Sequence, residues 1–335
     1  MIKFVNSLRM VIQMSLCLSA LFLIGCSDDS DDDSVIGNYV KRSDFEGVAR
    51  SGAVNFEING KAYVGLGYDG DDYLSDFWEY DPDLNFWKRI ANFPGVARTN
   101  GVAFAIGTKG YVGTGYDGSD ELSDFWEYDP ATDTWTQIAD FGGTARYSAV
   151  AFGINNLGYV GTGYDGNFLK DFWQYDPATN EWAQIVSIPG SKREEAVAFV
   201  IDGKAYIGTG TNNGVFVMDF WEFDPNTGWT QKLDIDDDDD YEVDRSSGVA
   251  FTLNGFGYIG LGTNFNHLGN FWEYDPVNDI WTEKTDLTEE AAASRSDAVG
   301  FALGNRAYLT TGRNGTIRFD DMWEFVPNED FNEDD

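Results

Sequence analysis

The chain has 335 residues, with 57 Asp and Glu against 22 Lys and Arg, and a formal net charge of −35. So acidic a surface repels phosphate backbones and anionic headgroups, which makes nucleic acid and bare anionic membranes poor partners. A single His and two Cys leave too few ligands for a His- or Cys-based metal centre, so no metal and no cofactor are expected.

The N-terminus reads as a targeting segment. Lys3 and Arg9 precede an apolar run from Met10 to Ile24, which at 15 residues is shorter than the ~20 that a spanning helix needs. It is followed by Leu23-Ile24-Gly25-Cys26, which resembles the lipobox of bacterial lipoproteins. That resemblance implies a signal peptide over residues 1–25, cleavage before Cys26, and a lipid on the Cys26 sulfur. Cys17 lies inside the signal, so no internal disulfide is expected. Residues 26–36 read as an acidic, disordered tether. Their Ser-Asp repeats also resemble the acidic export signal of Bacteroidetes surface lipoproteins. The implied location is the outer membrane, either exposed at the cell surface or facing the periplasm.

From Arg50 onward one unit is written six times. Each copy opens with an Arg (Arg50, Arg98, Arg146, Arg193, Arg245, Arg295) and reaches a Trp 27 or 28 residues later. The copies are 47 to 52 residues apart, the length of a four-stranded blade, which predicts an all-β propeller with six blades over residues 37–327 and an acidic tail over 328–335. In the second copy the strands are expected over 100–106, 111–115, 124–128 and 135–138. Gly107 to Gly110 and Asp129 to Asp133 form the tight turns between them.

Tyr111, Gly113, Gly115, Tyr128, Asp129, Pro130, Trp135 and Arg146 make this unit resemble the Kelch repeat. The Gly pair is split, as Gly-Leu-Gly or Gly-Thr-Gly, and decays to Thr311-Gly312 in the last copy. The resemblance implies a closed ring of the galactose oxidase/Kelch superfamily, alike in fold only. The last copy ends after Pro327 without a fourth strand. Tyr39 to Arg50 matches Trp87 to Arg98 position for position, so Tyr39 to Ser43 is expected to supply that strand and close the ring.

The face carrying the b–c and d–a loops is where the copies differ. Eleven residues separate the fourth-strand Trp from the next Arg in the first three copies, but 16 do so after Trp229 and 14 after Trp281. The first three b–c loops begin Tyr68-Asp69, Tyr116-Asp117 and Tyr164-Asp165; the next two contain Asn212 and Asn264, and the last Arg313. Rings beside carboxylates and carboxamides suit a sugar, whose apolar face stacks and whose hydroxyls bond, although Tyr-Asp-Gly is also ordinary turn chemistry. The resemblance adds the positions after each Arg to the pocket, among them Tyr147 and the paired acids Glu194 and Glu195. The recurring Arg residues, with Asp76, Asp124, Asp171, Asp219 and Asp321, read as architecture that joins neighbouring blades. Asp236 to Asp240 is a solvated loop that could hold Ca²⁺ but lacks the Gly and Glu of an EF-hand.

Copper oxidase chemistry needs two histidines and is excluded by a chain with one, His267. Two readings stay open. The first is a monomeric, non-catalytic module, anchored through Cys26, that binds a glycan or protein on the b–c/d–a face. The second is a metal-independent sugar mutarotase or epimerase, resembling the Kelch-type sialic acid epimerases, with Glu194, Glu195 and Arg313 as candidate catalytic residues.

Overall fold

A computed structural model of the chain describes residues 36–237, 241–287, 294–330 and 332, with the side chains of 236–241 left out. Cys26, the signal segment and the tether before Ile36 lie outside the described residues, and so does most of the acidic 236–240 loop. No helix is present among the described residues. Six four-stranded antiparallel sheets follow one another along the chain, each running a, b, c, d from the inside outward. Blade 2, for example, is Val102–Ile106, Lys109–Gly113, Phe125–Asp129 and Thr134–Gln137. The a strands touch in a closed circle, that of blade 6 (Val299–Leu303) packing on that of blade 1 (Val54–Ile58).

Each strand falls within two residues of the sequence reading, and the shifts have causes. Asn100 and Gly101 are not in strand a, because Asn100 takes a left-handed φ of 51° and joins a different structure at the ring's centre. The closing strand is Asn38–Lys41 rather than Tyr39 to Ser43. Arg42 N–H still donates to Met322 O (2.9 Å), but Ser43 N–H turns away to Asn85 Oδ1 (3.1 Å) and ends the ladder. Asn38 to Lys41 pairs with Val326 to Trp323, so blade 6 takes its outer strand from the N-terminus as expected.

The core lies between blades, not within them. Strand a alternates Val, Phe and Ile with small residues, and the large set packs on the next blade. In every blade the strand-a Phe stacks on the strand-b Tyr, at 5.0 Å for Phe56 and Tyr63 and 5.3 Å for Phe104 and Tyr111. Gly110 admits the neighbouring blade: a Cβ there would lie 2.3 Å from Phe56 Cε2.

The recurring Arg side chains tie their own blades together, a correction to the expectation that they join neighbours. Arg98 is fully buried; its Nη1 and Nη2 donate to Asp124 Oδ1 (2.6 Å) and Oδ2 (2.8 Å), and Nη1 also reaches Thr114 O (3.0 Å). Trp126 Nε1 donates to the same carboxylate (2.8 Å), and Phe93 lies 4.9 Å from the guanidinium. The pattern repeats at Arg50–Asp76, Arg146–Asp171, Arg193–Asp219 and Arg295–Asp321. It is the Arg carbonyl that reaches the preceding blade, as in Gly67 N–H to Arg98 O (2.8 Å).

Blade 5 breaks this pattern. Its Arg245 is fully buried, yet Asn270 stands where the others carry Asp, and Arg245 Nη2 and Asn270 Oδ1 have no partner among the described residues. Burial pushes the Arg245 pKa down to about 10, against the pull of Asp244, Asp286 and Glu283. Asn270→Asp is isosteric and would restore the charge-assisted pair. It is expected to stabilise the fold by about 1 kcal/mol, a rise of ~2 °C in melting temperature, with Asp286 limiting the gain. Unchanged or reduced melting by differential scanning calorimetry would show that the other acids already balance Arg245.

Candidate functional site

The b–c/d–a face is organised by two backbone rings. The residue after each Arg forms a bridge with the first residue of its own b–c loop: Ser51 with Tyr68, Thr99 with Tyr116, Tyr147 with Tyr164, Glu194 with Thr211, Ser246 with Thr263 and Ser296 with Arg313. The next residues, Gly52, Asn100, Ser148, Glu195, Ser247 and Asp297, all adopt left-handed φ between 51° and 62°. Each donates its N–H to the carbonyl of the preceding one at 2.9 to 3.1 Å, and Gly52 closes the circle on Asp297. Six blades thus share one cyclic hydrogen-bonded throat. A Cβ at Gly52 would lie 2.2 Å from Thr99 Oγ1, so blade 1 needs glycine there.

Above the throat the aromatic residues form a continuous arc. Ring centroids run Tyr68–Tyr73 (4.9 Å), Tyr73–Tyr116 (6.4 Å), Tyr116–Tyr147 (5.5 Å), Tyr147–Tyr164 (5.6 Å) and Tyr164–Phe168 (5.2 Å). Arg318 caps its blade 6 end, 5.0 Å from the Tyr68 ring. Tyr68, Tyr116, Tyr147 and Tyr164 were predicted to face the site; Tyr73, Phe168 and Arg318 were not. Tyr73 and Phe168 each follow a Tyr-Asp-Gly turn within a few residues, a signal present in the sequence but hidden by unequal loop lengths.

The three predicted carboxylates of these loops are held by their own turns. Asp69 Oδ1 accepts from Asp71 and Asp72 N–H (2.9 and 2.8 Å), Asp117 Oδ1 from Ser119 and Asp120 N–H (2.8 Å each), and Asp165 Oδ1 from Asn167 N–H (3.1 Å). Those backbone bonds hold the Asp69 and Asp117 carboxyls below the usual range. Asn264 is likewise engaged, its Nδ2 donating to both oxygens of Asp244 (3.2 and 3.1 Å). Asn212 pairs with Val215 across a two-residue hairpin turn, and its Oδ1 accepts from Asn213 Nδ2 (3.0 Å).

Glu194 and Glu195 stand where the Tyr arc gives way to blades 4 to 6. Both are half-buried. Burial, then the Glu195 charge, pushes the Glu194 pKa up to about 7. Burial and then Asp297 raise Glu195, while Ser246, Ser247 and Arg313 act in the opposite sense. Tyr147 is pushed up to about 12, first by burial and then by Glu194. Arg313 Nε donates to Asp297 Oδ2 (2.7 Å), so this cation is already paired. His267 accepts from Gly315 N–H at Nε2 (3.2 Å), and burial, then Arg313, lowers its pKa against the pull of Asp297. No grouping of three or more His, Cys, Asp or Glu placed to hold a metal occurs among the described residues.

A family model for the KLHDC2/KLHL20/DRC7 Kelch-repeats domain matches residues 39–191. The chain is a six-bladed β-propeller with Kelch repeats over the matched residues. Among solved structures, the one described as "Structure of YjhT" is similar to it with a TM-score of 0.71 over 84% of this chain and 96% of that one. At 16% identity that likeness is one of fold. No curated protein matches the chain. Kelch propellers serve as binding or enzymatic modules, so the fold restricts the function no further.

Proposed function

We propose that this propeller is a binding module for an uncharged glycan, held at a membrane through a lipid on Cys26 and using its b–c/d–a face. The observation that carries the reading is the unbroken arc from Tyr68 to Phe168 running up to the Glu194–Glu195 pair. Tyrosine rings offer stacking area at little conformational cost, and acids close by accept or share hydroxyl protons. The two guanidiniums of this face are already engaged, Arg313 with Asp297 and Arg318 with the Tyr68 carbonyl (3.2 Å) and ring. Glu194, Glu195 and Asp297 make this end of the face acidic, which disfavours an anionic sugar there.

One observation favours an enzyme instead. A carboxyl held near neutral pH, as Glu194 is, suits proton transfer to and from a sugar hydroxyl or ring oxygen, the step a mutarotase or epimerase requires. A single experiment separates the two. Neutral mono- and oligosaccharides should raise the melting temperature, and Tyr147→Ala should weaken the best of them about tenfold or more in calorimetric titration. Anomer or epimer exchange by NMR that disappears in Glu194→Gln would establish catalysis. Stabilisation by anionic sugars alone would overturn the uncharged-ligand reading.

A further inference from the structure

Below the throat the axis of the propeller is open as a cavity of about 350 Å³. Its wall is built from the small positions of the a strands, where the Val-x-Phe-x-Ile pattern turns x toward the axis. In blades 2 to 6 these positions are Ala or Gly, except for Val200 and Thr252. Thr252 is satisfied, its Oγ1 donating to Val200 O (2.8 Å). Blade 1 alone places an ionisable side chain at these positions, with Asn55 and Glu57 on one side of the bore.

Asn55 Nδ2 donates to Glu57 Oε1 (2.9 Å) and approaches Gly300 O (3.5 Å), which fixes the carboxamide and aims the carboxylate into the bore. No Lys, Arg or His lines the cavity. The nearest lysine in sequence, Lys61, is held by Glu79 (2.6 Å) and Asp81 (3.3 Å). Glu57 sits two residues before the Asn59–Gly60 turn, toward the face opposite the Tyr arc, and its side chain is exposed within the bore. It is nevertheless ringed by protein, and this enclosure pushes its pKa up to about 7, against the lowering effect of Asn55. A carboxylate so placed, without a counter-ion, holds a proton or attracts a cation.

We propose that the bore is a receptor for a primary alkylammonium group, either a free amine or a lysine side chain, entering from the a–b turn face. The ammonium has three donors and no acceptor, and it meets Glu57 with the Asn55 carboxamide oxygen and strand-a carbonyls close by. Its alkyl stem lies along methyl groups of the other blades, which would give nothing to a bare metal ion.

The test uses n-pentylammonium chloride against n-pentanol and potassium chloride at matched ionic strength, by thermal shift and calorimetric titration. The amine alone should bind, and Glu57→Gln should weaken it at least about tenfold by removing a charge-assisted bond. Asn55→Ala should give a smaller loss, and it keeps the test valid if the first variant is poorly folded. Tyr147→Ala and Glu195→Gln should leave amine binding intact, so failure of the glycan reading would not touch this one. A lysine-containing peptide that binds where the free amine does not would assign the source as a protein partner. Equal responses to potassium chloride or pentanol, or binding unchanged by both bore variants, would overturn the proposal.

Discussion

Asp124→Ala is expected to destabilise the propeller by about 3–5 kcal/mol, lowering its melting temperature by roughly 10 °C. The magnitude comes from what the substitution leaves behind. Arg98 is fully buried and makes its two strongest contacts with this carboxylate, so removing Asp124 strands a guanidinium on carbonyls alone. Trp126 Nε1 loses its acceptor in the same step. Asp120→Ala, on the exposed tip of the same b–c loop, is the control and should melt like the parent. The latch also sets the response to acid. Burial opposes ionisation of Asp124, but the Arg98 bonds and charge, with Trp126, outweigh it and hold the carboxyl below its ordinary value. Its contribution is therefore complete above the unfolded carboxyl's pKa of about 3.9, and is lost as the pH falls through the lower folded value. Asp76, Asp171 and Asp321 are depressed in the same way, so several blades should loosen together below about pH 4. Melting of Asp124→Ala within 2 °C of the parent would mean that the carbonyls of Thr114 and Val96 suffice for Arg98 (roughly 1 kcal/mol at this chain length).

How much of this was legible before the structure follows from which signals recur. Six copies of an Arg and a Trp, five of them with a Gly-x-Gly and a Phe-Trp pair, fix the blade, because each copy must repeat the same packing on its neighbour. The closing strand was legible for the same reason: Tyr39 to Arg50 repeats the wording of Trp87 to Arg98, which precedes the next strand a. Geometry that the repeat implies only through space was not. The pairing of Arg98 with Asp124 spans 26 residues, with nothing in the intervening sequence to link them. The throat is invisible because Gly52, Asn100, Ser148, Glu195, Ser247 and Asp297 share a backbone conformation and no side-chain type. Alanines at alternate positions of strand a read as small core residues, and only the ring places them on a channel, where Asn55 and Glu57 then stand out. The Tyr-Asp-Gly turns were legible as turns, and their carboxylates serve them; the rings, not the acids, make the continuous surface.

The second large effect concerns closure. A chain beginning at Ser43 keeps all six Arg residues and 23 of the 24 blade strands, yet it is expected to lose its single cooperative melting transition. Met322–Val326 would then be an unpaired edge, and such edges pair with other molecules. Tyr39 would be lost with the strand, taking its stack on Phe325 (5.0 Å) and its bond to Thr285 O (2.7 Å), and so would Arg42, with its bond to Glu324 (2.7 Å). Burial of one large aromatic side chain alone is worth about 4–5 kcal/mol at ~25 cal/mol per Å², before any backbone bonds are counted. These contacts join residues 246 to 286 apart in the sequence, so nothing local can replace them. Moving residues 36–43 to follow Pro327 through a short flexible linker supplies the same strand from the other end, and should restore both a single transition and a monomer by light scattering. If the truncated chain stays monomeric and melts as the parent does, blade 6 stands on three strands. The ring would then be held by its between-blade cores, with the N-terminal strand only covering an edge.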